Sequence, residues 1–252
     1  MLLAHVLGKS RAWVLAHPEV TLTAEQQLTL ENALVHLEDG EPLPYVLGHW
    51  EFYTLDFDLS PSVLIPRPET ELLVEQAFSW LRAHPTRRFI TDVGTGSGCI
   101  AVALAVNILD LHVIASDISM PALQLGLGNA QKHGVADRVA FICSNLLPPV
   151  SLQYDLICAN LPYIACQTLE TLAVYKHEPR IALDGGEDGL EIIRRLLKAA
   201  AQYLAPGGRI FLEIEASQGE AVKAIARIFY PYAEISLLPD LAGCDRLLSI
   251  QT

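Results

Sequence analysis

Two clusters in this 252-residue chain have the residue types and spacing that chemistry requires. The first is Thr91-Asp92-Val93-Gly94-Thr95-Gly96-Ser97-Gly98, at the end of a short apolar run. Alternating glycines let a backbone turn sharply and admit a ligand against the main chain, where a Cβ would intrude. The pattern is G-x-G-x-G and not the dinucleotide pattern G-x-G-x-x-G. Asp117 closes the next apolar run, 19 residues past Gly98. A carboxylate there can accept both hydroxyls of a ribose; its alternative role is a helix cap ahead of 119–121. Asn145 and Leu146 follow a third run at the same sheet edge, and an adenine pocket is their expected place. Asn145 reads equally well as a turn residue.

The second cluster is Asn160-Leu161-Pro162-Tyr163, which ends a fourth run. An asparagine carbonyl and the following backbone C=O can accept both protons of a planar NH2 group. An aromatic ring can pack on the flat group so held. Such a grip holds a nitrogen and steers its lone pair. A plain Asn/Pro turn after a strand is the competing reading.

These residues need a sheet to carry them. Short apolar runs at 89–93, 112–116, 139–143, 155–159 and 209–214 alternate with helix-length segments, notably 99–107, 120–132 and 188–204. That alternation predicts an α/β fold with a parallel sheet covered on both faces. The tail departs from it, since 233–238 and 246–250 read as a terminal hairpin. Ahead of the sheet, Leu2, Leu3, Val6 and Leu7 have helical spacing. Thr23 opens a second helical segment, with Leu28, Ala33, Leu34 and Leu37 expected on one apolar face. Turn residues close this helical part at 39–44, and 52–59 alternates as a small hairpin leading to Ile65. The prolines of Pro66-Arg67-Pro68 stop one element, and Glu69 and Glu71 suit the start of the next helix.

Composition narrows the class. Apolar residues make up 51% of the chain, ample for a core, and no apolar run approaches the roughly 18–20 residues that span a bilayer. No secretory leader is legible at the N-terminus. The net charge of −12 disfavours nucleic acid as a partner, because no basic face is evident. The cysteines form no C-x-x-C pair and read as reduced thiols filling apolar segments. No metal site is expected.

The glycine segment, Asp117 and Asn-x-Pro-Tyr resemble a class I S-adenosylmethionine methyltransferase acting on a planar nitrogen. Gly-Glu-Pro-Leu-Pro-Tyr-Val-Leu-Gly48, Leu64-Ile-Pro-Arg-Pro-Glu-Thr-Glu-Leu-Leu-Val74, His177-Glu-Pro-Arg-Ile-Ala-Leu-Asp-Gly-Gly186, Asp188-Gly-Leu190 and Pro206-Gly-Gly208 extend the likeness over nearly the whole chain. Together they resemble the PrmC/HemK family, which methylates the side-chain amide (N5) of the glutamine in the Gly-Gly-Gln motif of class 1 peptide release factors. The resemblance implies a Rossmann-like, mostly parallel seven-stranded sheet with an antiparallel terminal hairpin. It implies a helical recognition domain over 1–47, a β-hairpin linker over 48–66 and the methyltransferase domain over 67–252. That family commonly carries another helix ahead of the Leu2-Leu3 segment, so a late start or a trimmed recognition domain is implied.

Arg67, Gly94, Thr95, Gly96, Ser97, Gly98, Asp117, Asn145, Leu146 and Asn160 are thereby expected around the cofactor, with Asn160, Leu161, Pro162 and Tyr163 gripping the substrate amide. Arg67 has an alternative role as an ion-pair partner of Glu69 or Glu71, and Glu178 and Pro179 read mainly as a loop wall. The family usually has Asn-Pro-Pro-Tyr, and Leu161 stands at its second position. Asn-Leu-Pro-Tyr also occurs in adenine-N6 methyltransferases of ribosomal RNA. Adenine-N6 methylation and methylation of a ribosomal-protein glutamine are therefore the competing activities. A nicotinamide-dependent dehydrogenase conflicts with the glycine spacing and the antiparallel tail. A non-catalytic binding protein conflicts with the intact Gly94, Gly96, Gly98, Asp117 and Asn160. The expected enzyme is a cytoplasmic monomer with a release factor as its protein partner.

Overall fold

The computed structural model describes residues 1–149, 151–172 and 177–252. It opens with three helices, α1 (Leu2–Leu7), α2 (Arg11–Ala16) and α3 (Ala24–Glu38). Thr23 caps α3 in a capping box: its side chain accepts from the Gln26 N–H, and Gln26 accepts from the Thr23 N–H. The α3 face turned inward differs from the expected one. Leu30, Ala33 and Leu37 are half-buried, whereas Leu28 and Leu34 are exposed. Residues 30, 33 and 37 keep the i, i+3, i+7 spacing that a single stripe requires. None of these three helices has a fully buried residue.

Helix α4 (Leu43–Leu47) belongs to a different environment, with Pro44, Tyr45 and Leu47 buried. Tyr45 packs with Leu59, Val63, Ile65 and Ala122, and its hydroxyl donates to the Val63 carbonyl at 2.6 Å. Strands β1 (His49–Phe52) and β2 (Leu55–Asp58) form the small hairpin. Its two turn residues, Tyr53 and Thr54, both have positive φ, as a tight two-residue turn demands. Glu71 steadies that turn by accepting from the Tyr53 N–H at 2.8 Å.

From α5 (Thr70–Ala83) onward strands and helices alternate: β3 (Phe89–Val93), α6 (Cys99–Asn107), β4 (His112–Asp117), α7 (Met120–Lys132), β5 (Val139–Cys143), β6 (Tyr154–Ala159), α8 (Cys166–Leu169), α9 (Glu191–Tyr203), β7 (Leu204–Glu213), α10 (Gly219–Phe229), β8 (Glu234–Pro239) and β9 (Asp245–Gln251). The seven strands lie in the order β5-β4-β3-β6-β7-β9-β8. The first five are parallel, and β9 runs antiparallel to both of its neighbours, β7 and β8. Helix α10 is not among the expected segments, although Val222 and Ala226 bury one face of it.

The strands read as continuous apolar runs because both sheet faces are covered. Leu156 and Cys158 face a core shared with α5 and α6, while Ile157 and Ala159 face one shared with α9 and α10. Helix α6 is apolar all round, and every residue from Cys99 to Ala105 is buried. Not all cysteines fill the core: Cys99 and Cys158 are buried, but Cys143 and Cys244 are exposed. Among the described residues, no helix is long and apolar enough to cross a membrane. The strand order reverses between β3 and β6, and ligands of open α/β sheets bind at such a point, beyond the strand carboxyl ends.

Candidate functional site

A cavity of about 570 Å³ opens at that position, within the range of roughly 300–1,000 Å³ usual for small-molecule sites. It is lined by Arg67, the glycine loop at Gly94–Ser97, Asp117, Asn145, Leu146 and Asn160–Pro162. The structure thus brings together nearly all the residues singled out by sequence. Gly98 stands behind the cavity wall, where it caps α6 and lies against Gly126; a Cβ on it would approach that backbone at 3.3 Å.

The loop is shaped from within. Gly94, Gly96 and Gly98 have φ of +74°, +55° and +80°, a region open to glycine and strained for other residues. A Cβ on Gly94 would meet the Leu161 side chain at 3.0 Å; one on Gly96 would meet nothing within 4 Å. Gly96 therefore leaves its missing side chain as open space at the cavity floor. Asp92 braces the loop from below: its Oδ2 accepts from the Thr95 hydroxyl at 2.6 Å and from the Ala101 N–H at 3.2 Å. Its Oδ1 is buried without a partner, and burial pushes the carboxyl up to about 7. Sequence reasoning gave Asp92 no role. Its signal was a lone acid at the end of an otherwise apolar strand.

Asp117 faces this loop across the cavity edge. Oδ2 accepts from the Gly96 N–H and Oδ1 from the Ser119 N–H, both at 2.9 Å. The cap of α7 is Ser119, whose hydroxyl accepts from the Ala122 N–H, so Asp117 is not the N-cap residue. Each carboxylate oxygen keeps a lone pair for a further donor. Asn145 accepts from the Arg195 guanidinium at 2.9 Å, an unforeseen partner from α9 that also lines the cavity. Leu146 holds φ +68°, uncommon for a branched aliphatic residue and located at the cavity wall.

Arg67 pairs with neither Glu69 nor Glu71. Its guanidinium donates to Glu178, a nearly buried carboxylate that also accepts from the Ile65 N–H at 3.3 Å. Glu178 is therefore more than a loop wall. It ties the Arg-Pro-Glu-Thr-Glu segment to the segment at 177–186, and ends 111 residues apart could not be paired by inspection of the chain.

Asn160 directly follows β6 and lines both the main cavity and an adjoining recess of about 30 Å³, shared with Leu64, Arg67, Leu161 and Tyr163. Leu161 and Pro162 border the main cavity; Tyr163 borders only the recess. Burial pushes the Tyr163 hydroxyl up to about 12, so the ring stays neutral. The Asn160 amide nitrogen donates to the Thr70 hydroxyl at 3.0 Å. Glu213, at the end of β7, stands beside Thr70 and Asn160; burial pushes its carboxyl up to about 7 against the lowering effect of these two neighbours, and its Oε2 has no hydrogen-bond partner. The loop is held from behind by main chain. The Ile164 N–H donates to the Leu183 carbonyl, the Gly185 N–H donates to the Ile164 carbonyl, and the Gln218 side chain donates to the Tyr163 carbonyl at 2.9 Å. A Cβ on Gly185 would come within 2.9 Å of the Pro162 carbonyl, which is why glycine stands at 185.

Known proteins with this pattern can now be compared. Residues 1–48 match the family model of the PrmC N-terminal domain, and residues 69–176 match that of the methyltransferase small domain. A release factor glutamine methyltransferase of Moorella thermoacetica is 43% identical over 98% of this chain and 87% of its own length. A namesake from Koribacter versatilis is 39% identical over 98% and 88%. Among solved structures, a ribosomal protein L11 methylase from Lactobacillus delbrueckii subsp. bulgaricus superposes with a TM-score of 0.53 at 22% identity, over 73% of this chain and 78% of that one. At that identity it speaks for the fold alone, a class I methyltransferase. Sequence identity over nearly the full length decides the family: the chain belongs to the release factor glutamine methyltransferases.

Proposed function

We propose that this enzyme transfers the methyl group of S-adenosylmethionine to the side-chain amide nitrogen of the glutamine in a release factor's Gly-Gly-Gln motif. The observation that carries the reading is Asn160, which borders both the glycine-loop cavity and the recess beside Tyr163. The cavity suits the cofactor: Gly96 leaves room for a ligand on its backbone, and Asp117 keeps two acceptors for a ribose. Bound S-adenosylmethionine supplies an electrophilic methyl on its sulfonium.

An amide nitrogen is a poor nucleophile because its lone pair is delocalised into the carbonyl. Positioning is the remedy, and near-attack geometry can supply on the order of 7–11 kcal/mol. Asn160 Oδ1 and the Leu161 carbonyl accept the two amide protons and stabilise positive charge as it develops on nitrogen. Tyr163 clamps the amide plane from the recess. Arg67, Thr95, Ser97, Asn145 and Leu146 complete the cofactor walls. A site built from one chain suits action as a monomer, and a substrate that works in translation suits the cytoplasm.

Residues 1–47 form the docking module of this proposal. Their exposed Leu28, Leu34 and Val35 sit on helices with nothing fully buried, unlike the cofactor half. Because Tyr45 and Leu47 pack into the body, the informative truncation stops before Leu43. Removing residues 1–41 leaves cofactor binding intact and sharply lowers methylation of the whole factor; equal rates would end the docking idea. Labelled methyl transfer offered to a release factor, a ribosomal protein and RNA tests the substrate class. Label in the factor is expected, and label in RNA alone supports adenine methylation instead.

A further inference from the structure

The geometry points to Thr70 and Glu213 as positioning residues that lock the Asn160 amide with its nitrogen inward and its carbonyl toward the cavity. This inference rests on the amide-methylation reading. Asn160 has two amide protons and one carbonyl oxygen, and the two ends of a side-chain amide have nearly the same shape. Shape alone does not choose between them; partners do.

Here both partners behind the amide select the nitrogen. Nδ2 donates to Thr70 Oγ1 at 3.0 Å, and the buried carboxyl of Glu213 stands beside both side chains. An ionised carboxylate only accepts, so it takes the Thr70 hydroxyl proton and faces the amide nitrogen. The Thr70 oxygen, its own proton spent, is then left to accept from Asn160. A ring of this polarity has one consistent state, with Oδ1 free for the substrate. Glu213 is 1% exposed and Thr70 2%, so water cannot take over either role. Asn160 directly follows β6, Thr70 opens α5 and Glu213 closes β7, three elements that pack against one another. Protonated Glu213 becomes a donor and releases the constraint, because Thr70 can then turn its proton to Asn160 Oδ1 and invert the amide.

The groups facing Glu213 are Arg246 of β9, Glu69 at the start of α5, the Tyr163 hydroxyl and the buried Cys99 thiol of α6. Of these, Arg246 favours the carboxylate and Glu69 opposes it, while burial outweighs both and raises the carboxyl to about 7. The turnover rate therefore rises with pH through that region as Glu213 ionises.

The test uses the full chain and a release factor, with Thr70→Val, Thr70→Ser and Glu213→Gln. Thr70→Val should lower kcat about 10–100-fold, the usual cost of losing a partner behind a functional group, while cofactor affinity stays within about twofold. Thr70→Ser keeps the hydroxyl and should restore kcat. Glu213→Gln should remove the rise of kcat around pH 7. Wild-type kcat in Thr70→Val, or a serine variant as damaged as the valine one, would overturn the inference. A wild-type enzyme that leaves the factor unmethylated would instead defeat the functional reading. The inference then still meets a direct check, the 15N NMR signal of the Asn160 side chain in the wild-type protein. That signal should titrate with Glu213; a pH-independent signal contradicts the lock.

Discussion

The two halves of the proposed site, one for the cofactor and one for the amide, are built in opposite ways. The cofactor half is local: Asp92, Thr95, Gly96, Ala101 and Asp117 hold one another within 26 residues of chain. The amide half is assembled from afar, with Asn160 held through Thr70 and Glu213 and its loop held by Gly185 and Gln218. Local construction lets one half be complete before the other is formed. The cofactor cavity should therefore survive damage to the amide grip, and the grip should be sensitive to changes far away in sequence.

The harshest way to break the first half is Gly96→Val. The backbone there has φ +55° and the open space in front of it is the cavity floor, so a branched side chain is both strained and in the way. Calorimetry should detect no S-adenosylmethionine binding while the fold persists. Asp117→Ala should act in the same direction but less severely. Losing hydrogen bonds to a charged acceptor costs about 1.5–3 kcal/mol each, or roughly 10–150-fold in affinity per bond. Unchanged affinity would mean that the ribose is held elsewhere.

This contrast also decided what could be read from the chain. The glycine loop, Asp117, Asn160 and the strands that carry them announce themselves through short-range spacing and apolar runs. Thr70, Glu178 and Glu213 did not, because each acts on residues roughly 50–140 positions away and none has a motif of its own. Arg67 shows the cost of local reasoning: two glutamates stand close by in sequence, yet its partner is Glu178. The inward face of α3 was misassigned for another reason. Leu28, Leu30, Leu34 and Leu37 offer two candidate stripes, and only packing against α1 and α4 selects one. Helix α10 does carry a local signal, since Val222, Ile225, Ala226 and Phe229 repeat at helical spacing, a pattern the sequence reading left unused.

Acid sensitivity offers a further test. Asp92 and Glu213 both have carboxyls raised to about 7 by burial, above their unfolded values. Groups of this kind bind protons more tightly when folded, so their contribution to stability is complete below about pH 4 and lost as pH rises through 7. Thermal unfolding should show a falling midpoint between about pH 5 and 8 from these two sites. Asp92→Asn and Glu213→Gln should each flatten part of that slope, and the two effects should add because the groups brace different halves.

Leu161→Pro is expected to do least. Proline is the residue usual in this family at that position, and its ring presets φ near −65°. Loss of the contact between the Leu161 side chain and the glycine loop at Gly94 opposes that gain. Methylation equal to or faster than wild type is expected; a collapse with cofactor binding preserved would show a grip of different shape and favour the adenine substrate.

The most direct measurement is single-turnover methylation by Asn160→Ala with saturating S-adenosylmethionine and a release factor. If Asn160 Oδ1 grips the amide only as charge develops, the rate falls about 10²–10³-fold, as for removal of one transition-state hydrogen-bond partner. Affinity for the factor and for the cofactor stays nearly unchanged in that case. A wild-type rate, or a loss confined to cofactor binding, would contradict the division of the site into a local cofactor half and a distantly assembled amide grip.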